Sequence, residues 1–326
     1  MLKEKQLNGI CIVLFISLPL VAYIIDEPYF ITLSTKIVIF AMAGVGLNFV
    51  LGFGGLVSLG HAAFFGIGGY ISSIIIWHAL NFEPIFTWPV YISGSTQWWI
   101  IWPIVIAIVT VVSTFIGFFS LRTSGVYFIM ITLAFAQMIY YFSISWPTYG
   151  GEDGLSIYTR GSIGGFNSMN GLNFYFVCFS WLLISILVSS KLISSSFGLA
   201  FKATRENTER VASVGIKTFN IRLIAFIFSG IICGIAGALY ADLNRFVSPS
   251  ILSWHTSGEI MIFVILGGVS RLFGPLLGAM FFVVLEQVLG GITENWQFWL
   301  GFILILEVLF SRGGISGLLI REKVNE

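Results

Sequence analysis

Polar groups set into apolar sequence are the residues whose chemistry matters first. Glu259, Glu286 and Glu307 lie in apolar runs, as do His61, Asn48, Ser58, Thr132 and Gln137. A carboxylate at the centre of a bilayer costs about 2.5–3.5 kcal/mol on insertion scales, so each must face a bundle interior, water or a base. Converging carboxylates would make a proton or ion relay, the hallmark of a carrier that works alone. Glu259 and Glu307 stand close enough to a surface for solvation, which leaves Glu286 as the structural partner or pathway residue. His61 sits between small residues near a helix start, a place for packing, hydrogen bonding or a pathway role; His78 and His255 are near interfaces and read as solvated. Asn48, Ser58, Thr132 and Gln137 either line a polar pathway or hydrogen-bond between helices. No nucleophile–base pairing stands out, so an enzyme is not expected. Cys11, Cys178 and Cys233 have neither metal-ligand nor disulfide-framework spacing, so neither metal nor cofactor is expected. The sequence also lacks Gly-x-x-x-x-Gly-Lys-[Ser/Thr], so if ATP drives this protein the ATPase is a separate chain.

The longest polar stretch is Lys191 to Arg222. Phe201, Thr204, Thr208, Val211, Ala212 and Gly215 share one helical face, while Lys202, Arg205, Glu206, Glu209 and Arg210 lie largely elsewhere. Ser194 to Ser196 supply N-cap candidates and Gly215 a C-terminal stop. The spacing predicts one or two short helices outside the bilayer between two spans. Residues 191–218 are either a basic loop that fixes topology or a docking element for a cytoplasmic partner.

The elements around these residues follow from composition. Of 326 residues, 57% are hydrophobic and 10% charged, with a net charge of +1; mean hydropathy is +0.96. Soluble domains carry about 25% charged residues, so the bilayer is the solvent here. The fold class is an all-α polytopic membrane protein, read as one domain over 1–326. Spans are expected at 8–25, retained rather than cleaved as a signal, and at 31–51, with Lys36 snorkelling. Others are expected at 56–77, from Trp98 to Ser120, and at 126–145, 173–190 and 219–240. The last carries a Gly230-xxx-Gly234-xxx-Ala238 packing face. Residues 276–289 and 296–310 follow, with a stretch at 257–268 too short for the roughly 20 residues a span needs. The Gly-rich loop 146–172 is long enough to have local structure or a job.

Ten crossings place the N-terminus with Lys3 and Lys5, Arg122, the 191–222 segment, Arg271 and the C-terminus with Arg312, Arg321 and Lys323 inside. Asp26, Glu27, Glu83, Glu152, Asp153, Asp242 and Glu294 fall outside, with Arg160 and Arg245 as exceptions. If 257–268 and its partner are re-entrant, the count is eight and the parity is unchanged. The Gly-broken stretches Gly52–Gly60 and Gly267–Gly278 correspond: each has a Gly pair and a Ser (Ser58, Ser270) before an apolar run. Paired interruptions mark pathways in secondary transporters; two unrelated tight turns would read the same way.

Several blocks in order resemble the LivM-type permeases of branched-chain amino acid ABC importers. Gly46-Leu47-Asn48 and Leu51 to Tyr70, with Gly52-Phe53-Gly54-Gly55 and Ser58-Leu59-Gly60-His61, resemble the signature block. Arg122 to Phe128 and Thr132 to Gln137 are similar to the next, and Gly150 to Leu155 to an outside Gly-Gly-x-x-Gly-Leu loop. Gly237 to Tyr240, Ser248-Pro249, Leu266 to Gly268 and Gly274 to Ala279 resemble the C-terminal blocks. Gly69 departs from the Ala of many relatives. The 191–218 segment resembles these permeases' cytoplasmic coupling helix. The resemblance implies ATPase-coupling roles for Phe197, Gly198, Ala203, Arg205, Glu206, Asn207, Arg210, Ala212 and Gly215. It implies a bacterial inner-membrane bundle with cytoplasmic termini. The implied partners are a second homologous permease, two ABC ATPases and an extracytoplasmic binding protein that supplies specificity. The expected cargo is leucine, isoleucine and valine; permeases with similar blocks move urea or short amides.

Overall fold

In a computed structural model of the chain, residues 4–86, 92–164, 167–310 and 313–319 are described. Lys3, Arg312, Arg321 and Lys323, and with them the charge reading at both chain ends, lie outside the described residues. Helices α1 (Glu4–Ile24) and α2 (Pro28–Asn48) come first, and α2 runs on into a π-helical turn, Phe49–Phe53. Next are α3 (His61–Asn81), a short hairpin of β1 (Pro84–Phe86) and β2 (Ile92–Ser93), α4 (Trp98–Ser120) and α5 (Val126–Ile144). Strand β3 (Leu155–Ser156) precedes α6 (Gly171–Ser194), α7 (Ser196–Glu206), α8 (Thr208–Ser213) and α9 (Thr218–Asn244). Strand β4 (Phe246–Val247), α10 (Trp254–Gly267), α11 (Gly274–Ile292), α12 (Trp296–Phe310) and α13 (Gly314–Leu319) complete the described chain.

Among the described residues eight helices, α1 to α6, α9 and α11, are long and apolar enough to cross a membrane. α10 and α12, at 14 and 15 residues, fall short of the roughly 20 needed. The sequence put 257–268 and its partner in doubt; in the structure α11 is long enough, and α10 and α12 are the short ones.

α2, α3 and α9 form the centre. Residues 37–53 are buried on every side, which is why the sequence there is apolar all round rather than striped. Small residues let the central backbones meet. A Cβ on Gly68 of α3 would run into the Gly234 carbonyl of α9, and one on Gly237 into the Phe65 carbonyl. Gly234 in turn faces Val109 of α4, so the anticipated small-residue face of α9 packs on two helices at once.

One end of the bundle carries α7, α8 and the turn after Ser120, where Arg122 lies 4.2 Å over the Phe118 ring. At the opposite end, Trp98 donates to Asp242 (2.8 Å). Arg160 donates to the carbonyls of Asp242, Leu243 and Ser168 at 3.0–3.3 Å. It thus satisfies the last carbonyls of α9, where a cation is favoured, and this accounts for one basic residue on the acidic side. The 146–172 loop has the local structure its length called for: β3 pairs antiparallel with β4. His78 is buried rather than solvated as its sequence position suggested, bonded to Tyr149 (2.9 Å) and the Glu83 carbonyl (3.2 Å). His255 is exposed and lies against Trp254.

Candidate functional site: the charged segment and the two helix breaks

The charged stretch folds as two short helices, as its spacing predicts. Ser195 ends α6 and caps α7, its hydroxyl accepting from the Gly198 N–H (3.4 Å). Gly198 is needed here because a Cβ would overlap the Leu192 and Ile193 carbonyls at the end of α6. Asn207 separates the helices and caps α8 through the Arg210 N–H (2.9 Å). Gly215, at φ +88°, turns the chain toward α9 in a conformation that a side chain would strain.

α7 has two faces. Gly198, Phe201 and Thr204 are buried. Phe201 stacks on Phe49 of the π turn (5.7 Å) and on Phe197 (6.2 Å), and Gly54 leaves room for its ring. Arg222 of α9 donates to the Thr204 carbonyl and the Thr208 hydroxyl, both at 2.7 Å, and so satisfies the end of α7. The outward face holds Leu199, which is 65% exposed, with Lys202, Ala203, Glu206 and Asn207; Arg210, Ala212 and Val214 continue it across α8.

Arg205 reaches from α7 into the bundle. Its guanidinium donates to the Gly52 carbonyl (2.5 Å) and to the Ser270 hydroxyl (3.1 Å). Ser270 Oγ donates to the same Gly52 carbonyl (2.6 Å). Asn48 closes the set: its Nδ2 donates to the Arg271 carbonyl (2.8 Å) and its Oδ1 accepts from the Ser270 N–H (3.0 Å). The two Gly-broken stretches therefore meet, and α7 holds both. Ser270 sits at φ +68°, a conformation rare for a residue with a side chain; these bonds hold it there. Gly52 must lack a Cβ because Ser270 and Asn48 occupy that space.

Beyond the π turn, Gly55 at φ +67° turns residues 56–60 back into the bundle without regular structure. His61 opens α3 deep inside: its Nε2 bonds Ser229 Oγ (2.7 Å), and Ser229 donates to the Gly46 carbonyl (2.5 Å). Ser229 lies about 16 Å along α9 from Thr218, at ~1.5 Å per residue. Ser257 of α10 accepts from the Ala62 N–H (2.8 Å), and Ser58 from the Gly60 N–H (3.2 Å). One of the first donors of α3, the Ala62 N–H, and the N–H of its cap residue Gly60 thus find side chains within an apolar core. Thr132 is buried, bonds the Ile129 carbonyl (2.9 Å) and abuts Gly60.

The sequence-selected pathway residues therefore fall into separate places. Ser58, His61 and Thr132 surround the start of α3, and Asn48 belongs with Arg205. Gln137 stands apart on α5, and Glu286 lies toward the opposite end. Lys36 does not snorkel: its Nζ pairs with Glu286 Oε2 at 3.1 Å. Ser229, Ser257 and Arg222 had no signal in the sequence beyond being polar in or beside apolar runs. Among the described residues no cluster of His, Cys, Asp or Glu could hold a metal.

Residues 29–309, from the start of α2 into α12, match the family described as branched-chain amino acid transport system / permease component. The chain belongs to that family. This permease is 26% identical over 310 residues to the high-affinity branched-chain amino acid transport system permease protein LivM of Escherichia coli, covering 87% of this chain and 69% of that one. The Salmonella typhimurium LivM is 25% identical over the same shares. The autoinducer 2 import system permease protein LsrC of Yersinia enterocolitica is 29% identical over 116 residues, 33% of this chain and 32% of that one. No solved structure matches. Both helix breaks, α7 and α8 lie inside the family match, so the hydrogen-bonded node around Arg205 belongs to the permease region. A permease of an ABC importer is a transport component rather than an enzyme, and eight apolar spans suit a multi-pass inner-membrane protein.

Proposed function

We propose that the chain is the membrane-spanning subunit of an ATP-driven importer of leucine, isoleucine and valine. In this reading it works with a second homologous permease, two cytoplasmic ABC ATPases and an extracytoplasmic binding protein. The N-terminus, the C-terminus and α7–α8 face the cytoplasm. The substrate assignment is supported by the likeness to LivM over 87% of the chain. The observation that carries the mechanism is the Arg205 node. One short, solvent-facing helix is hydrogen-bonded to the carbonyl end of α2 and to the turn before α11. A displacement of α7 therefore pulls on both breaks at once, and the break after α2 leads directly to the buried start of α3 at His61.

In this reading the coupling residues divide by burial. Ala203, Glu206, Asn207, Arg210 and Ala212, with Leu199 and Val214, present the surface an ATPase grips. Phe197 and Gly198 seat α7 on the bundle, Arg205 transmits its movement, and Gly215 sets the exit toward α9. Asn48 joins the two breaks. Ser58, His61 and Thr132 form the closed constriction of the pathway; Gln137 lies further along α5 and Glu286 toward the opposite mouth.

Reconstitution in proteoliposomes with the companion subunits tests this. ATP-dependent leucine uptake is expected, with none from this chain alone under an ion gradient. Accumulation by this chain without ATP would overturn the reading. Uptake of urea but not leucine would overturn the substrate and leave the coupling intact.

A further inference from the structure

Lys36 of α2 and Glu286 of α11 form an ion pair in which each side chain is 30% exposed. Glu259 lies on α10, the helix that packs on both α2 and α11. At ~1.5 Å per residue, Lys36 is about 12 Å from the start of α2, Glu286 about 9 Å from the end of α11 and Glu259 about 8 Å from the start of α10. All three thus lie within apolar helices rather than at their rims. Charges at that depth do not face hydrocarbon, so their exposed sides meet water or protein. The Lys36 ammonium is engaged by Glu286.

We infer that Lys36, Glu286 and Glu259 form a site that handles a zwitterion in the half of the bundle opposite α7. The inference rests on the amino-acid reading above. A set holding both signs can exchange its internal pair for a ligand that also carries both, leaving no charge unpaired in a low-dielectric setting. A simple cation or anion would strand one partner. The ligand's carboxylate goes to Lys36 and its ammonium between Glu286 and Glu259, the spare carboxylate making that half the acidic one. Beside the pair lies an aromatic layer. Lys36 Nζ is 5.7 Å from the Phe40 ring, Phe40 packs on Phe263 (5.4 Å) and Phe263 on Phe282 (5.0 Å). These rings are buried in the bundle, so the charges stand next to packed apolar surface that an aliphatic side chain would meet on entering.

The test uses the assembled transporter in proteoliposomes, with radiolabelled leucine as the probe. Wild-type uptake first establishes the amino-acid reading; its absence would sink that reading rather than this one. The charge-swapped variant K36E/E286K keeps an ion pair, so a merely structural pair is rescued by it. We expect normal abundance but leucine uptake at least tenfold below wild type, because the polarity offered to the ligand is reversed. Uptake within twofold of wild type overturns the site. Should the swapped chain not accumulate, the neutral pair K36Q/E286Q gives the same reading: at least a tenfold loss supports the site and near-normal uptake overturns it. ATP hydrolysis stimulated by loaded binding protein separates handling from folding. It is expected within twofold of wild type, since the cluster is remote from α7, and its collapse along with uptake would assign the pair to structure.

Discussion

At the residue scale, the account turns on a few side chains that each make two bonds between different elements. Asn48 ties α2 to both the amide of Ser270 and the carbonyl of Arg271. Asn48→Ala would leave a partly buried donor and acceptor unpaired, each costing up to about 1–3 kcal/mol. The expected result is a lower thermal-aggregation midpoint in detergent, by several degrees; an unchanged midpoint would show that Asn48 carries no such load. Leu199 is the converse case, an apolar side chain 65% exposed on α7 with no role in the bundle. Leu199→Asp should leave abundance and the thermal midpoint unchanged while ATPase co-purification falls at least severalfold. Retained co-purification would remove α7 from the docking surface.

At the element scale, two adjacent glycines on α3 make opposite predictions. A Cβ on Gly68 has no room against the Gly234 backbone, whereas one on Gly69 comes within 3.2 Å of Ile251 Cδ1 and the Gly237 carbonyl, contacts that a few tenths of an ångström relieve. Gly68→Ala should lower the amount of folded protein strongly, since overpacking a core costs about 1–3 kcal/mol even where side chains can yield. Gly69→Ala should accumulate normally. Membrane abundance by immunoblot decides, and equal behaviour of the two would mean α3 and α9 are not this close. The α3–α9 contact was legible because small residues at helical spacing have one main use in a membrane. So were α7 and α8, whose polarity breaks the apolar sequence. The two Gly-rich breaks were visible as corresponding stretches, but two unrelated turns would have read the same way, and only the fold shows that they meet. What joins them was not legible. Ser229 and Ser257 are single serines in apolar runs, and only the folded positions of α9 and α10 bring them to the start of α3. Lys36 read as a snorkelling residue because its partner lies on α11, far along the sequence, where periodicity within one helix carries no information. The crossing number was left between eight and ten for a related reason. Length decides a span, and α10 and α12 both fall below it while packing against α11.

At the scale of the whole molecule, the bundle has a basic end bearing α7 and an acidic end closed by the Trp98–Asp242 bond, Arg160 and the β3–β4 pair. Between them α3 begins deep inside, with the Arg205 node toward one end and the Lys36–Glu286 pair toward the other. In the proposed orientation the basic end faces the cytoplasm, as the usual excess of Lys and Arg on that side predicts. The measurement that tests the central claim most directly is the number of leucine molecules imported per ATP hydrolysed by the Arg205→Ala transporter in proteoliposomes. Without the guanidinium, α7 still docks through its outward face but no longer grips Gly52 and Ser270. Hydrolysis should therefore persist within about threefold while the transport ratio falls at least tenfold. A ratio equal to wild type would contradict the account.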